Sequence, residues 1–205
     1  MRLQKRTAKK DTIVLIDSAY LSKVAKHLGN GKYLRYNIHT LAINLAKSFN
    51  LWCKEIYYYT APPFQSSNPT LEEAERKSKY DKFIKKIQTY LPTTWVREGR
   101  CQLINGVFKQ KGVDNLLTQD LIKISQRREV ECIIFITADT DFVPILKGIK
   151  ADYGMKIILA YYTDRQRKSS FSMSNHLWQV CDEKVLLNKD HFFMGGQGVS
   201  NEKKL

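Results

Sequence analysis

The chain has 205 residues, with 34 Lys and Arg against 20 Asp and Glu, for a formal net charge of +14. A hydrophobic share of 43% excludes global disorder, and no apolar run approaches the roughly 20 residues of a membrane-spanning helix. The excess of base is the footprint of a polyanion binder, while four scattered Cys and four scattered His offer no close pair of zinc ligands.

From the N-terminus, residues 1–11 read as a solvated basic arm, because no secretory apolar segment follows MRLQKRTAKK. TIVLID (12–17) is a β-branched run ending in an acid, and predicts a buried strand. Residues 20–28 have the pattern of one or two helical turns, stopped by GNG at 29–31. Asn37 is placed to cap a helix over 38–49. CKEIYYYT (53–60) predicts a second strand, and APPFQSSNPT (61–70) a loop. Thr70 and Glu73 form a capping-box pattern at the start of a long charged helix. Residues 93–111 read as extended chain with a turn at Asn105-Gly106, both of which tolerate positive φ. Asp114 opens the next helix, and ECIIFITAD (131–139) is the most strand-like run of all. A helical pattern follows over 141–152, then a strand at 155–162, a polar basic segment at 164–175 and a short last strand at 184–188. These assignments give a body over residues 12–190 and a flexible tail over 191–205.

Strands alternate with helices, and the strands are continuously apolar. That pattern predicts an α/β fold whose mainly parallel sheet is covered on both faces. In such sheets ligands bind beyond the carboxyl ends of the strands, and the acids gather there. Asp17 ends the first strand, Asp139 ends the strand after the hairpin with Asp141 just past it, and Asp114 stands at a helix start on the same rim. Each has a simpler role open to it: Asp17, Asp114 and Asp141 could each cap a helix or turn, and Asp120 could pair with Lys123 on its own helix. Asp120, six residues beyond Asp114, lies about 240° around the helix from it. Two carboxylates 4 Å apart repel by about 4 kcal/mol at an effective dielectric of 20. A hard divalent cation, Mg2+ or Mn2+, would offset that repulsion and can activate water beside a phosphodiester. Three basic segments suit contact with phosphates: the 76–86 helix, a hairpin bearing Arg97, Arg100, Lys109 and Lys111, and a loop bearing Arg165, Arg167 and Lys168.

IVLIDSAYL, KGVDNLLTQDL, FITADTDFVPIL and GMKIILA, in that order, resemble the NYN domain of the PIN-like nuclease superfamily, and most of all its LabA-like branch. IYYYTAPP is similar to the family's second strand, so the resemblance runs from about residue 12 to 188. It implies a three-layer α/β/α sandwich of PIN-like, Rossmann-like kind and metal-dependent cleavage of RNA in the cytoplasm. Asp17, Asp114 and Asp139 take the principal acidic positions, with Asp141 close behind and Asp120 a further candidate. Thr137 matches a Ser/Thr that can bond an acid or a metal-bound water. Tyr20 departs from the family, which usually has Asn there. A phenol cannot supply an amide's donor and acceptor together, although it can bond a water or stack on a base.

The expected function is a metal-dependent endoribonuclease using Mg2+ or Mn2+, with single-stranded DNA as the other substrate to be tested and homo-oligomerisation left open. The alternative is a non-catalytic RNA-binding or assembly protein whose PIN-like site is vestigial. The chain has no Gly-x4-Gly-Lys-Ser/Thr loop, which excludes a P-loop NTPase.

Overall fold

The structure is a computed structural model and is described over residues 9–163 and 174–193. In chain order the elements are β1 (Lys10–Asp17), α1 (Ser18–Leu28), α2 (Ile38–Ser48), β2 (Leu51–Thr60), α3 (Leu71–Ile87), β3 (Thr93–Glu98), β4 (Arg100–Ile104) and β5 (Val107–Lys111), then α4 (Val113–Arg127), β6 (Cys132–Ile136), α5 (Val143–Tyr153), β7 (Lys156–Tyr161), α6 (Asn175–Val180), β8 (Glu183–Leu186) and α7 (Lys189–Phe192). A single turn of 3-10 helix, Thr140–Phe142, precedes α5.

Six strands pair in the order β3-β2-β1-β6-β7-β8, all of them parallel. Strand alternation divides their side chains between two cores. Val14, Ile16, Ile134, Ile136 and Ile158 enter the core under α1 and α2, where α3 and α7 contribute Ile87 and Phe192. Ile13, Leu15, Ile133, Phe135, Ile157 and Leu159 enter the core under α4, α5 and α6. This is the expected three-layer α/β/α sandwich. Each fully buried Leu, Ile or Phe here contributes about 1.5–3 kcal/mol relative to exposure.

Among the main-sheet strands alone, the order corresponds to 3-2-1-4-5-6, so the winding reverses between β1 and β6. A crevice opens beyond the strand ends at such a reversal. The register Ile16↔Ile136 puts Asp17 beside Thr137 at the mouth of that crevice.

β4 and β5 form a separate antiparallel hairpin. Its turn uses Asn105 and Gly106 at φ 51° and 74°, the positive-φ pair the sequence predicts. The hairpin begins later than expected: Arg97 lies in β3, at the edge of the main sheet. Gly99 is the pivot, because a Cβ there would come within 2.5 Å of the Lys111 carbonyl oxygen. The capping box of α3 forms between Thr70 and Glu73, yet Ile87 is that helix's one buried residue. The body also extends past its expected end, since Phe192 is buried and meets the ring of Tyr36.

Candidate active site

Asp17 is both the last residue of β1 and the N-cap of α1. Its Oδ1 accepts from the backbone N–H groups of Ala19 (3.0 Å) and Tyr20 (3.1 Å), which leaves Oδ2 for the crevice. Asp139 repeats the device one strand over. Its Oδ1 accepts from Asp141 N–H at 2.9 Å and so opens the 3-10 turn. Its own N–H donates to Thr137 Oγ1 at 3.1 Å, and Thr137 is fully buried. Thr137 therefore positions Asp139 from beneath and does not face the crevice. The capping role open to Asp141 is taken by Asp139, and the Asp141 side chain is exposed.

Asp114 does not cap its helix. Gly112 occupies the N-cap at φ 80°, with no side-chain cap bond, and Asp114 stands in the first turn of α4. The glycine lets the chain leave β5 and start α4 within two residues. Negative charge in that first turn is favoured by the helix dipole.

Asp17, Asp114 and Asp139 line one polar hollow of about 350 Å³, together with Tyr20, Lys23 and Gln110. None of the three, nor Asp141, forms a salt bridge among the described residues. Burial raises the Asp17 carboxyl above its ordinary range, against the lowering effect of its two N–H donors, and the charges of Asp114 and Asp139 add to the rise. Asp114 is raised by partial desolvation of its carboxyl, then by Asp139 and Asp141. Asp17 and Asp114 thus each feel neighbouring acids of the cluster.

The sequence profile of the family described as the NYN domain matches residues 11–187. The chain belongs to the NYN domain family. That family is part of the PIN-like nuclease superfamily, whose members typically use divalent metals. A solved structure of a protein of unknown function from Vibrio parahaemolyticus RIMD 2210633 is 17% identical. The alignment covers 93% of this chain and 99% of that one, with a TM-score of 0.56. At that identity the likeness concerns the fold alone. No curated protein matches the chain.

The structure places Asp120 and the described candidate bases of this NYN chain away from the hollow. Asp120 is buried on α4, where its Oδ2 accepts from Arg97 Nε at 2.7 Å and from the Tyr59 hydroxyl at 3.2 Å. It pairs neither with Lys123 nor with the other acids, and both Asp120 and Arg97 are occupied in a structural ion pair. Arg100 and Lys111 stand directly across the hairpin from each other, and Lys109 is opposite Gln102. Pleating puts these three bases on one face of the hairpin and Gln110 on the other. Since Gln110 lines the hollow, the bases do not. Arg165, Arg167 and Lys168 lie outside the described residues.

Tyr20 is 4% exposed, and its hydroxyl accepts from Tyr162 N–H at 2.7 Å. Burial raises its phenol pKa strongly. A ring held in this way cannot stack on a base, so Tyr20 is a strut between α1 and the end of β7. Sequence reasoning missed Lys23 and Gln110. Lys23 lies on the same helix as the Asp17 cap, six residues on, and Gln110 is marked only by hairpin alternation.

No three His, Cys, Asp or Glu side chains among the described residues are grouped closely enough to hold a metal as a preformed cage. The donor set nevertheless fits a hard, hydrated cation. Mg2+ keeps several waters and needs only one or two carboxylates plus substrate phosphate, and Asp17, Asp114 and Asp139 present carboxylate oxygens to one polar hollow. Among the described residues no helix is long and apolar enough to cross a membrane.

Proposed function

We propose that the chain is a metal-dependent ribonuclease that cleaves RNA phosphodiester bonds at Asp17, Asp114 and Asp139, with Asp141 beside them. The observation that carries this reading is the convergence of three salt-bridge-free carboxylates, from two strand ends and a helix start, at the point where the sheet reverses. Mg2+ or Mn2+ held by these acids would polarise a phosphoryl oxygen and generate hydroxide from water. The chain's own contribution is to fix the acids before substrate arrives. Asp17 is held by two N–H donors, Asp139 is held by Thr137, and Asp114 is delivered by the turn at Gly112. Lys23 stands in the same hollow as a cation for phosphate.

Placement in the LabA-like branch rests on the motif resemblance. A second reading, an RNA-binding or assembly protein with a vestigial site, draws on Tyr20, whose locked phenol supplies no amide to the crevice. Incubation with labelled structured RNA, single-stranded RNA and single-stranded DNA, with Mn2+, Mg2+ or EDTA, decides between the two. Metal-dependent cleavage that is lost in Asp139→Asn supports the nuclease. Tight binding without cleavage in Mn2+ supports the vestigial reading.

A further inference from the structure

The acidic hollow does not end at the acids. Ala19 and Gln110 also line a second hollow of about 460 Å³ between α1 and α3. Ser22, Tyr58 and Phe83 then connect that hollow to a third, of about 650 Å³, at the start of α2. The three make one continuous trough, whose chemistry changes along its length. Among the described residues no Asp or Glu lines the second or third hollow, whereas Arg76, which also pairs with Glu72 at 2.8 Å, lines the second and Arg35 the third.

One wall is a face of α3. Arg76, Tyr80, Phe83 and Ile87 recur at i, i+4, i+7 and i+11, which is one helical stripe. Such a stripe normally closes onto the core, and here Ile87 does so. Phe83 remains 38% exposed. It rests on buried Tyr58, with ring centroids 5.8 Å apart at 66°. Tyr58 lines the second hollow together with Ser18, the neighbour of Asp17. The exposed ring therefore lies one aromatic layer out from the acidic cluster. On the floor, Ser18, Ala19 and Ser22 are small and leave room for a chain to lie close.

We propose that this trough binds the single strand on one side of the scissile phosphate, with a nucleobase stacked on Phe83 and phosphates met by Arg35 and by Arg76, whose exposed pair with Glu72 is weak enough to exchange for a phosphate. The proposal rests on the nucleic-acid reading above for its ligand class. Its occupant follows from charge complementarity and from continuity with the acidic hollow. Stacking on an aromatic face tolerates any base, so the trough contributes affinity without sequence preference.

The test measures anisotropy of a labelled 12-residue single-stranded RNA on the full chain in EDTA, and steady-state cleavage of the same strand in Mn2+. Phe83→Leu keeps an apolar side chain but removes the π face. It should weaken binding by roughly 5- to 150-fold, the equivalent of 1–3 kcal/mol per stacked base. Phe83→Trp should bind as well as the parent. Arg35→Gln should lower the slope of log affinity against log salt by about 0.7. In Mn2+, Phe83→Leu should raise KM and leave kcat in place. Parent-like Kd and KM in Phe83→Leu, with parent-like salt dependence in Arg35→Gln, would overturn the trough while the nuclease reading stands. Loss of binding in Phe83→Leu alongside a parent chain that never cleaves would remove the nuclease and keep the trough. A parent chain that does not bind the strand overturns the trough outright.

Discussion

Asp114 and Asp120 lie on the same helix, six residues apart, and they are held in opposite ways. Asp114 faces a polar hollow with Asp17 and Asp139 nearby and no salt-bridged base. Asp120 is 5% exposed and satisfied by an arginine and a phenol. The first arrangement costs folding energy and leaves the carboxylate available to a ligand. The second ties α4 to β2 and β3 and leaves nothing over. Two observations separate them: Asp120 is buried in a salt bridge, whereas Asp114 is exposed to the hollow and forms no salt bridge among the described residues.

The largest expected effect breaks the first kind of acid. Asp139→Asn should lower the cleavage rate in Mn2+ by at least about a thousandfold, equivalent to about 4 kcal/mol of barrier. The amide oxygen still caps the 3-10 turn, so circular dichroism and Tm should match the parent. A parent-like rate in this variant would move the chemistry away from the hollow.

The next effect breaks the second kind. Asp120→Ala leaves Arg97 without its acid and Tyr59 without its acceptor. It should cost about 2–4 kcal/mol, below the full cost for a wholly buried pair because Arg97 is partly solvated. Tm should fall by roughly 5–15 °C. Cleavage per folded molecule should change little. Activity lost with Tm unchanged would make Asp120 part of the reaction instead. Replacing both partners, Asp120→Leu with Arg97→Met, should recover much of the stability, since apolar substitutes for a buried ion pair are often neutral or better.

Two smaller effects probe the supports. Thr137→Val removes the acceptor for Asp139 N–H and should cost about 1 kcal/mol in urea unfolding. A fall in kcat beyond that expected from stability would mark it as positioning Asp139. Tyr20→Phe removes the acceptor for Tyr162 N–H and should cost a similar amount. RNA affinity should not change, because the ring is already buried. Weaker binding in Tyr20→Phe would mean that the phenol reaches the strand.

The smallest effect concerns pH. Asp17 and Asp114 titrate above their ordinary values in the folded chain, chiefly through burial and then through the neighbouring acids. Folding therefore favours their protonated forms. Their contribution is fullest below the unfolded value of about 3.9 and is lost as pH rises through the raised folded value. Asp114→Asn should accordingly stabilise the metal-free protein at pH 7, by well under about 1 kcal/mol because the site is open to solvent. That gain should fade as pH falls toward 4. Adding Mn2+ should reverse the order at pH 7, because only the parent gains the linkage of a well-bound ion.

Much of the architecture is local and was legible in the residues themselves. Continuous β-branched runs marked the strands, Thr70 and Glu73 the start of α3, and Asn105-Gly106 the hairpin turn. The acids at the ends of β1 and β6 followed from strand length alone. Each of these is set by neighbours within a few residues, through backbone sterics, capping bonds and side-chain periodicity. Tertiary packing settled which groups became partners. The acceptor for the Tyr59 hydroxyl is 61 residues away, and that for Arg97 is 23 away. Only the folded chain reveals that Asp120 is paired while Asp114 forms no salt bridge among the described residues. The same packing turned Gln110 toward the hollow with its flanking lysines on the hairpin's other face, locked Tyr20 onto Tyr162, and left Phe83 half open above Tyr58. Periodicity fixes which residues share a face. What that face meets depends on the layer packed against it, and that layer comes from distant parts of the chain.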